Sequence, residues 1–312
     1  MKTINLLFPG QGSQYVGMAK ELLHKESNQP LITQINERLG FNLAALMLEG
    51  PEEKLKLTQF TQPAIVLHSY LIFIELKKAL EKNNIEIGNV LGHSVGEYSA
   101  LVACGSLTIH DALSAVHQRG IFMQKAVPEG KGKMLAVLKV PKEKVEKGCK
   151  ECSLEDQKVM PANYNSPSQI VVSGDSAACD RLSDWLSDNI SEPYKIIELK
   201  VSAPFHSSLM KPAARNLEKF IKNMKLESNI LPYIANVDAR KYEHSTSPEI
   251  IKSNLINQVA GSVLWTQSFM KLSEDQHCFE VGPGKTLMGL GRSINRNIKV
   301  SPTDGVDINK LI

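Results

Sequence analysis

Residues 92–100 read Gly92-His93-Ser94-Val95-Gly96-Glu97-Tyr98-Ser99-Ala100. A short, largely apolar run at 89–91 precedes them and another at 101–103 follows, so the pattern predicts a strand, a sharp turn and a helix. Its core is Gly-x-Ser-x-Gly, in which two glycines allow the strand and the helix to approach closely. Such a turn exposes Ser94 at a helix N-terminus, where backbone N–H groups favour negative charge. We therefore expect Ser94 to be a nucleophile, the alternative being a serine that merely caps a helix.

Length and composition indicate an ordinary soluble enzyme. The chain has 312 residues, 42% hydrophobic and 22% charged, and a net charge of +3 that does not predict nucleic-acid binding. No segment approaches the roughly 20 apolar residues of a membrane span, and the N-terminus does not match a signal peptide. The five scattered cysteines are typical of reduced thiols, which predicts a cytoplasmic protein. One Cys-x-x-Cys, Cys149 and Cys152, lacks the further ligands of a zinc site, so no metal is expected.

The order of predicted elements favours an α/β fold in two domains. Short buried strands at 4–8, 90–91, 233–235 and 278–281 alternate with helices, which predicts a largely parallel sheet. Between them, residues 132–201 read strand, helix, strand, strand, helix, strand, the order of a ferredoxin-like unit. We therefore predict a large catalytic domain formed by residues 1–128 and 202–312, with a small domain inserted at 129–201.

A serine nucleophile needs a base, and His206 is the strongest candidate among eight histidines. It lies where the inserted domain rejoins the large one, a place that faces a crevice between domains. His93 is adjacent to Ser94, and its side chain is expected to point away from the serine. A structural histidine at 206 is the alternative.

A second loop, Phe8-Pro9-Gly10-Gln11-Gly12-Ser13-Gln14, follows the first predicted strand. It matches neither GxGxxG nor a P-loop, so a nucleotide site is not indicated. Its backbone N–H groups are suited to form half of an oxyanion hole, with the N–H of Val95 as the other half.

Six motifs in register carry a resemblance that spans residues 4 to about 296. They are Phe8–Gln14, Gly92–Glu97, Gln118-Arg119-Gly120, Asn163-Tyr164-Asn165-Ser166-Pro167, Ala203-Pro204-Phe205-His206 and Glu280-Val281-Gly282-Pro283-Gly284. In this order they resemble the malonyl-CoA:acyl-carrier-protein transacylases. The resemblance implies malonyl transfer from coenzyme A to the phosphopantetheine thiol of acyl carrier protein, supplying extender units for fatty-acid synthesis. It also implies an α/β-hydrolase-like large domain with a ferredoxin-like insertion.

The resemblance assigns roles to individual residues. Ser94 attacks the thioester, His206 takes its proton, and the N–H groups of Gln11 and Val95 hold the oxyanion. A malonyl-serine ester then passes to the carrier thiol, which implies ping-pong kinetics. Arg119 matches the arginine that binds the free carboxylate of malonate, for which a planar guanidinium is suited. Without the motif, a salt bridge on a surface helix is the better interpretation of Arg119.

Gln258 matches a glutamine whose main-chain carbonyl orients the histidine, so no triad aspartate is sought. Glu97 is the nearest acid in sequence. Three residues after Ser94 it begins a helix, so a capping or dipole role is expected of it instead.

Three further residues are predicted to line the site. Asn163 and Asn165 match the motif that faces the site from the small domain, with plain turn residues beside Pro167 as the alternative. Phe205 fits malonyl-selective relatives, because a smaller residue would leave room for the branching methyl of methylmalonyl.

The expected partners are malonyl-CoA and acyl carrier protein, without nucleic acid, membrane or resident cofactor, and the expected state is a monomer. Three other functions stay open. A discrete acyltransferase or editing acyl hydrolase of a polyketide synthase differs in its carrier and acyl group. A serine thioesterase passes the acyl group to water. A malonyl-CoA sensor needs neither Ser94 nor His206.

Overall fold

The computed structural model describes residues 2–128 and 130–312. Within these ranges ten strands form two sheets: β1 Lys2–Phe8, β2 Ile85–Gly92, β3 Gly132–Leu138, β4 Val159–Ser166, β5 Gln169–Asp175, β6 Lys195–Glu198, β7 Tyr233–Ile234, β8 Lys241–Tyr242, β9 His277–Glu280 and β10 Val300–Pro302.

Thirteen α-helices are present in the same ranges: α1 Lys20–His24, α2 Gln29–Leu39, α3 Leu43–Glu49, α4 Glu52–Leu55, α5 Thr58–Lys82, α6 Gly96–Ala103, α7 Ile109–Lys125, α8 Lys142–Cys152, α9 Ser176–Asn189, α10 Lys211–Ile221, α11 Pro248–Ala260, α12 Trp265–Phe269 and α13 Thr286–Ile294. No helix of the described ranges is both long enough and apolar enough to cross a bilayer.

The larger sheet has the order β10-β9-β1-β2-β7-β8 and is parallel except at its β8 edge. β1 lies in its centre, pairing with β2 on one side and β9 on the other. Residues 4–8 of β1 are all buried, as expected of a parallel strand covered on both faces. Because parallel strands share a direction, the turns after β1, β2 and β9 lie together at one edge. The predicted strands and their largely parallel pairing are confirmed.

The smaller sheet is antiparallel, with the order β4-β5-β3-β6. Helices α8 and α9 pack on it around a separate apolar cluster that includes Val137, Val172 and Leu182. The predicted order of strands and helices is confirmed, although the last strand was expected to reach residue 201. It ends at Glu198, because the chain folds back so that the Val201 N–H donates to Leu199 O at 2.9 Å. The predicted first residue of the insertion, Glu129, lies outside the described residues.

The two sheets are joined beside the turn after β2. The Tyr164 N–H on β4 donates to Val263 O at 2.9 Å, and the Val263 N–H donates to Ala162 O at 2.8 Å. Val263 lies between α11 and α12, so the small sheet is bound directly to the segment that follows Gln258.

Candidate active site

The turn between β2 and α6 holds Ser94 in a left-handed backbone conformation, with φ of 51°. Such a conformation costs a non-glycine residue on the order of 1 kcal/mol and persists where the surroundings impose it. A β-carbon at Gly92 would overlap the backbone of Gly96, and one at Gly96 would overlap the Phe8 carbonyl. The Gly-x-Ser-x-Gly pattern therefore forms the predicted strand–turn–helix, with its glycines required by close packing.

Asn236, after β7, holds this turn from the neighbouring strand. Its Oδ1 accepts from the Ser94 N–H at 2.7 Å, and its Nδ2 donates to Gly92 O at 2.7 Å. The side chain thus binds both arms of the turn. The sequence analysis missed Asn236; its position directly after a predicted strand was the available signal.

His206 lies against the nucleophile. Its Nε2 is 2.7 Å from Ser94 Oγ, and its Nδ1 is 2.9 Å from Gln258 O and 3.2 Å from Gly261 O. Carbonyl oxygens only accept, so the proton resides on Nδ1 and Nε2 is free to accept from the serine hydroxyl. The structure thus brings together Ser94, His206 and the Gln258 carbonyl as the sequence predicted, although 112 residues separate the first two.

Arg119 projects from α7 to the same point and is only 1% exposed. One guanidinium nitrogen, Nη2, donates to Ser94 Oγ at 3.2 Å and to Gln258 Oε1 at 2.8 Å. Nε is buried without a hydrogen-bond partner among the described residues. Burial lowers the pKa of Arg119, with Tyr98 and Glu97 opposing it. The surface salt-bridge interpretation is therefore wrong, because the Arg119 guanidinium is buried beside the nucleophile and forms no ion pair with another described residue.

Glu97 lies in the first turn of α6, the position that the expected dipole role requires, but its side chain makes no capping hydrogen bond and is fully buried behind Gln258. Its Oε2 accepts from Gln258 Nε2 at 2.6 Å and from the Asn236 N–H at 3.3 Å. Burial raises the pKa of Glu97 to about 7, while these hydrogen bonds and the charge of Arg119 act to lower it. A carboxyl group thus lies behind the site without contacting Ser94.

Two backbone N–H groups are available for an oxyanion. Within the described chain, neither the Gln11 nor the Val95 N–H donates to another protein group. Val95 is 1% exposed, and a buried N–H without an acceptor is unusual. Gly10 keeps the Gln11 loop close to the turn, since a β-carbon there would lie 2.6 Å from His93 O.

The three predicted lining residues are buried at or near the site. Asn165 Oδ1 lies 2.8 Å from His93 Nε2, so the His93 ring is directed to the small sheet and away from Ser94. Asn163 pairs with Val263 at the junction between the sheets. Phe205 belongs to the main apolar core, directly before the histidine. Asn165 therefore contacts the turn that carries Ser94, whereas Asn163 lies at the junction between the two sheets.

The environment of His206 keeps it neutral. Burial and then the charge of Arg119 lower the pKa of His206 to about 3, although hydrogen bonds to the carbonyls of Gln258 and Gly261 raise it. Neutral imidazole is the form that accepts a proton. Since the pKa is lowered, that form persists at pH values where a free histidine, with a pKa near 6.5, is already protonated.

This predicts the pH dependence of serine acylation. In the wild type, the acid limb of the acylation rate should lie well below pH 6.5. In Arg119→Ala, with acetyl-CoA as donor, the acid limb of the acylation rate should move to higher pH. The reason is that the variant lacks the positive charge next to His206 that lowers its pKa. Rapid-quench acylation rates between pH 4 and pH 8 compare the two proteins, and a wild-type rate that stays nearly constant down to about pH 4 is the expected result. A wild-type midpoint at or above pH 6.5 would contradict the assignment.

Comparisons with known proteins place the chain in a family. A family model described as acyl transferase domain matches residues 6–277. The malonyl CoA-acyl carrier protein transacylase of Bacillus subtilis is 39% identical over 302 residues, covering 96% of this chain and 92% of the relative.

Two solved structures are similar over nearly the whole chain. An acyl carrier protein S-malonyltransferase from Vibrio cholerae superposes with a TM-score of 0.89 and 34% identity, covering 98% of both chains. A malonyl-transacylase in complex with its type II PKS acyl-carrier protein has a TM-score of 0.90 and 33% identity, covering 99% of this chain and 98% of that one.

Proposed function

The chain belongs to the acyl transferase domain family, and on that premise we propose that it transfers malonyl from malonyl-CoA to the phosphopantetheine thiol of acyl carrier protein. This transfer would supply extender units for fatty-acid synthesis. The observation that carries the proposal is the 2.7 Å contact between Ser94 Oγ and His206 Nε2, with a buried guanidinium donating to the same oxygen. A nucleophile, its base and an anion-binding group thus meet at one point.

The first half-reaction acylates the serine. Ser94 Oγ attacks the thioester carbonyl while its proton passes to His206 Nε2, and the carbonyl oxygen becomes an oxyanion against the N–H groups of Gln11 and Val95. The C–S bond then breaks, and the proton on His206 leaves with the coenzyme A thiol. A malonyl-serine ester remains. The Gln258 carbonyl holds the imidazole in the required tautomer throughout.

The second half-reaction reverses these steps with a different thiol. The carrier thiol gives its proton to His206 and attacks the ester, and the same N–H groups bind the second oxyanion. The proton returns to Ser94 Oγ as the C–O bond breaks. The protein needs no cofactor for either half in this proposal, because the phosphopantetheine arrives on the carrier.

Selectivity for malonyl follows from Arg119, whose buried guanidinium forms a bidentate pair with the free carboxylate. We propose that Phe205, which is buried directly before the histidine, limits the room for a branching methyl, so methylmalonyl should be a poor substrate. Comparable turnover with methylmalonyl-CoA would contradict this role of Phe205.

We further propose an α/β-hydrolase-like large domain at 1–128 and 202–312 with a ferredoxin-like domain at 129–201. The strand order β4-β5-β3-β6 with two helices on one face supports the latter. Asn163 and Asn165 would close the cleft from that domain. A monomer in the cytoplasm remains part of the proposal; the unpaired thiols of all five cysteines, which lie in the described ranges, support a reducing compartment.

Transfer to carrier tests the function directly. With malonyl-CoA and catalytic enzyme, a carrier bearing phosphopantetheine should gain one malonyl group, as measured by intact-protein mass spectrometry. The matched control is the same carrier without phosphopantetheine, which should gain none. Faster release of malonate than of malonyl-carrier would instead support a serine thioesterase.

A second candidate is malonyl transfer to a carrier of a polyketide synthase, because one similar structure contains a type II PKS acyl-carrier protein with its malonyl-transacylase. An editing acyl hydrolase of such a synthase is the variant that uses water. A competition experiment with a fatty-acid carrier and a polyketide carrier distinguishes the two transfer functions, since the physiological carrier should have the higher kcat/KM.

A further inference from the structure

Glu97 is the buried acid that the proposed mechanism does not use. Its side chain is 0% exposed, and its Oε2 accepts from two donors, Gln258 Nε2 and the Asn236 N–H. Its other oxygen, Oε1, has no hydrogen-bond partner among the described residues. Burying a carboxyl group costs free energy unless its contacts repay the cost, which points to a specific task for this side chain.

The contacts of Gln258 indicate that task. Its Nε2 donates to Glu97 Oε2 at 2.6 Å and to Ser94 O at 2.9 Å, and its Oε1 accepts from Arg119 Nη2 at 2.8 Å. A flipped amide would direct Oε1 at two acceptors and Nε2 at the guanidinium, which is itself a donor. The carboxyl oxygen of Glu97 thus helps to fix which end of the amide faces Arg119.

The same glutamine touches all three residues of the proposed chemistry. Its side chain contacts Arg119 and the Ser94 backbone, and its main-chain carbonyl accepts from His206 Nδ1. A change in the side-chain amide therefore acts on Arg119, while the carbonyl that holds His206 is part of the α11 backbone. Effects on carboxylate binding and on proton transfer are separable for this reason.

We propose that Glu97 is a positioning residue: through the Gln258 amide it holds Arg119 in the orientation that receives the malonyl carboxylate. This inference rests on the proposed malonyl transfer and adds a specificity-determining residue to it. Glu97 does not touch the acyl group, and its effect reaches the substrate only through Gln258 and Arg119.

Two variants of equal charge and similar length test it. Glu97→Gln keeps an oxygen for Gln258 Nε2 and the Asn236 N–H, with its own amide nitrogen in the partnerless position. Glu97→Met removes the acceptor. The ratio of malonyl-CoA to acetyl-CoA in serine acylation, expressed as kcat/KM, should be about tenfold lower in Glu97→Met than in Glu97→Gln, through a higher KM for malonyl-CoA.

The ratio does not depend on the fraction of active enzyme, so a merely structural role would lower both rates together and leave it unchanged. Ser99→Ala is the matched control, because Ser99 is buried on the same helix and its hydroxyl has no partner among the described residues. It should keep the wild-type ratio. Equal ratios in Glu97→Met and Glu97→Gln would overturn the proposal.

A second variant covers the case in which Glu97→Met does not fold. Gln258→Met removes the amide but keeps the main-chain carbonyl that holds His206, so it should lower the malonyl-to-acetyl ratio while acetyl acylation persists. An unchanged ratio in Gln258→Met would also overturn the proposal. If the wild type forms no malonyl-enzyme at all, the proposed function fails; if it prefers malonyl and the variants do not differ, only the role of Glu97 fails.

Discussion

A Ser94→Ala variant is expected to form no malonyl-enzyme and to lose malonyl transfer to carrier by a factor on the order of 10⁵, as nucleophile removal does in serine enzymes. Alanine keeps the Asn236 clamp on the turn, because that clamp uses the backbone N–H of residue 94 and Gly92 O. The site should therefore stay assembled around the missing oxygen. Initial rates of carrier malonylation measure the loss.

Circular dichroism and the thermal midpoint provide the control for Ser94→Ala, since both should match the wild type. A folded variant that retains more than about one hundredth of the wild-type rate would show that a side chain other than Ser94 accepts the malonyl group. The nearest alternative acceptors on this helix are Tyr98 and Ser99, both fully or nearly fully buried. Neither of them forms a hydrogen bond with His206 in the described chain, whereas Ser94 Oγ lies 2.7 Å from His206 Nε2, and we therefore assign the attack to Ser94.

An Arg119→Ala variant is expected to lower the malonyl-to-acetyl ratio of acylation by a factor of about 10² to 10³. Removing one partner of a buried, hydrogen-bonded charge pair costs about 3–5 kcal/mol. Acetyl has no carboxylate and, in the wild type, leaves the buried guanidinium without its anion, so acetyl acylation should fall less than malonyl acylation or should rise. Acylation rates with the two thioesters, measured separately, give the ratio.

Arg119→Lys is the matched control for this prediction, because lysine keeps the charge but forms no bidentate pair. The malonyl-to-acetyl ratio of Arg119→Lys should lie between the ratios of the wild type and of Arg119→Ala. A ratio unchanged in Arg119→Ala would show that the malonyl carboxylate binds elsewhere and would remove the basis of the proposed selectivity.

The sequence alone predicted the parts of the fold that depend on local patterns. The nucleophile turn follows from two glycines that allow the strand and the helix to pack closely. Continuous apolar runs predicted the central strands, of which β1 and β9 pair side by side. The place of His206 at the predicted domain crossing made it the candidate base for Ser94, and the recognised motif then decided against a structural histidine.

Other features could not be predicted because they depend on long-range contacts between polar side chains. Gln258 lies 139 residues from Arg119 and 161 from Glu97, and the three meet only in the folded chain. Glu97 lies at a helix start as predicted, but its burial and its hydrogen bond to Gln258 could not be predicted from the local sequence. The short edge strands β8 and β10 carry two and three residues, too few for a periodic pattern.

The central claim is that malonyl passes through Ser94 to a carrier thiol, and the partition of the malonyl-enzyme tests it most directly. Enzyme mixed with one equivalent of malonyl-CoA is followed by intact-protein mass spectrometry, first in buffer and then after addition of carrier bearing phosphopantetheine. We predict an adduct on Ser94 that persists in buffer and is discharged to the carrier within the time of mixing. An absent adduct, or one lost to water faster than to carrier, would contradict the account.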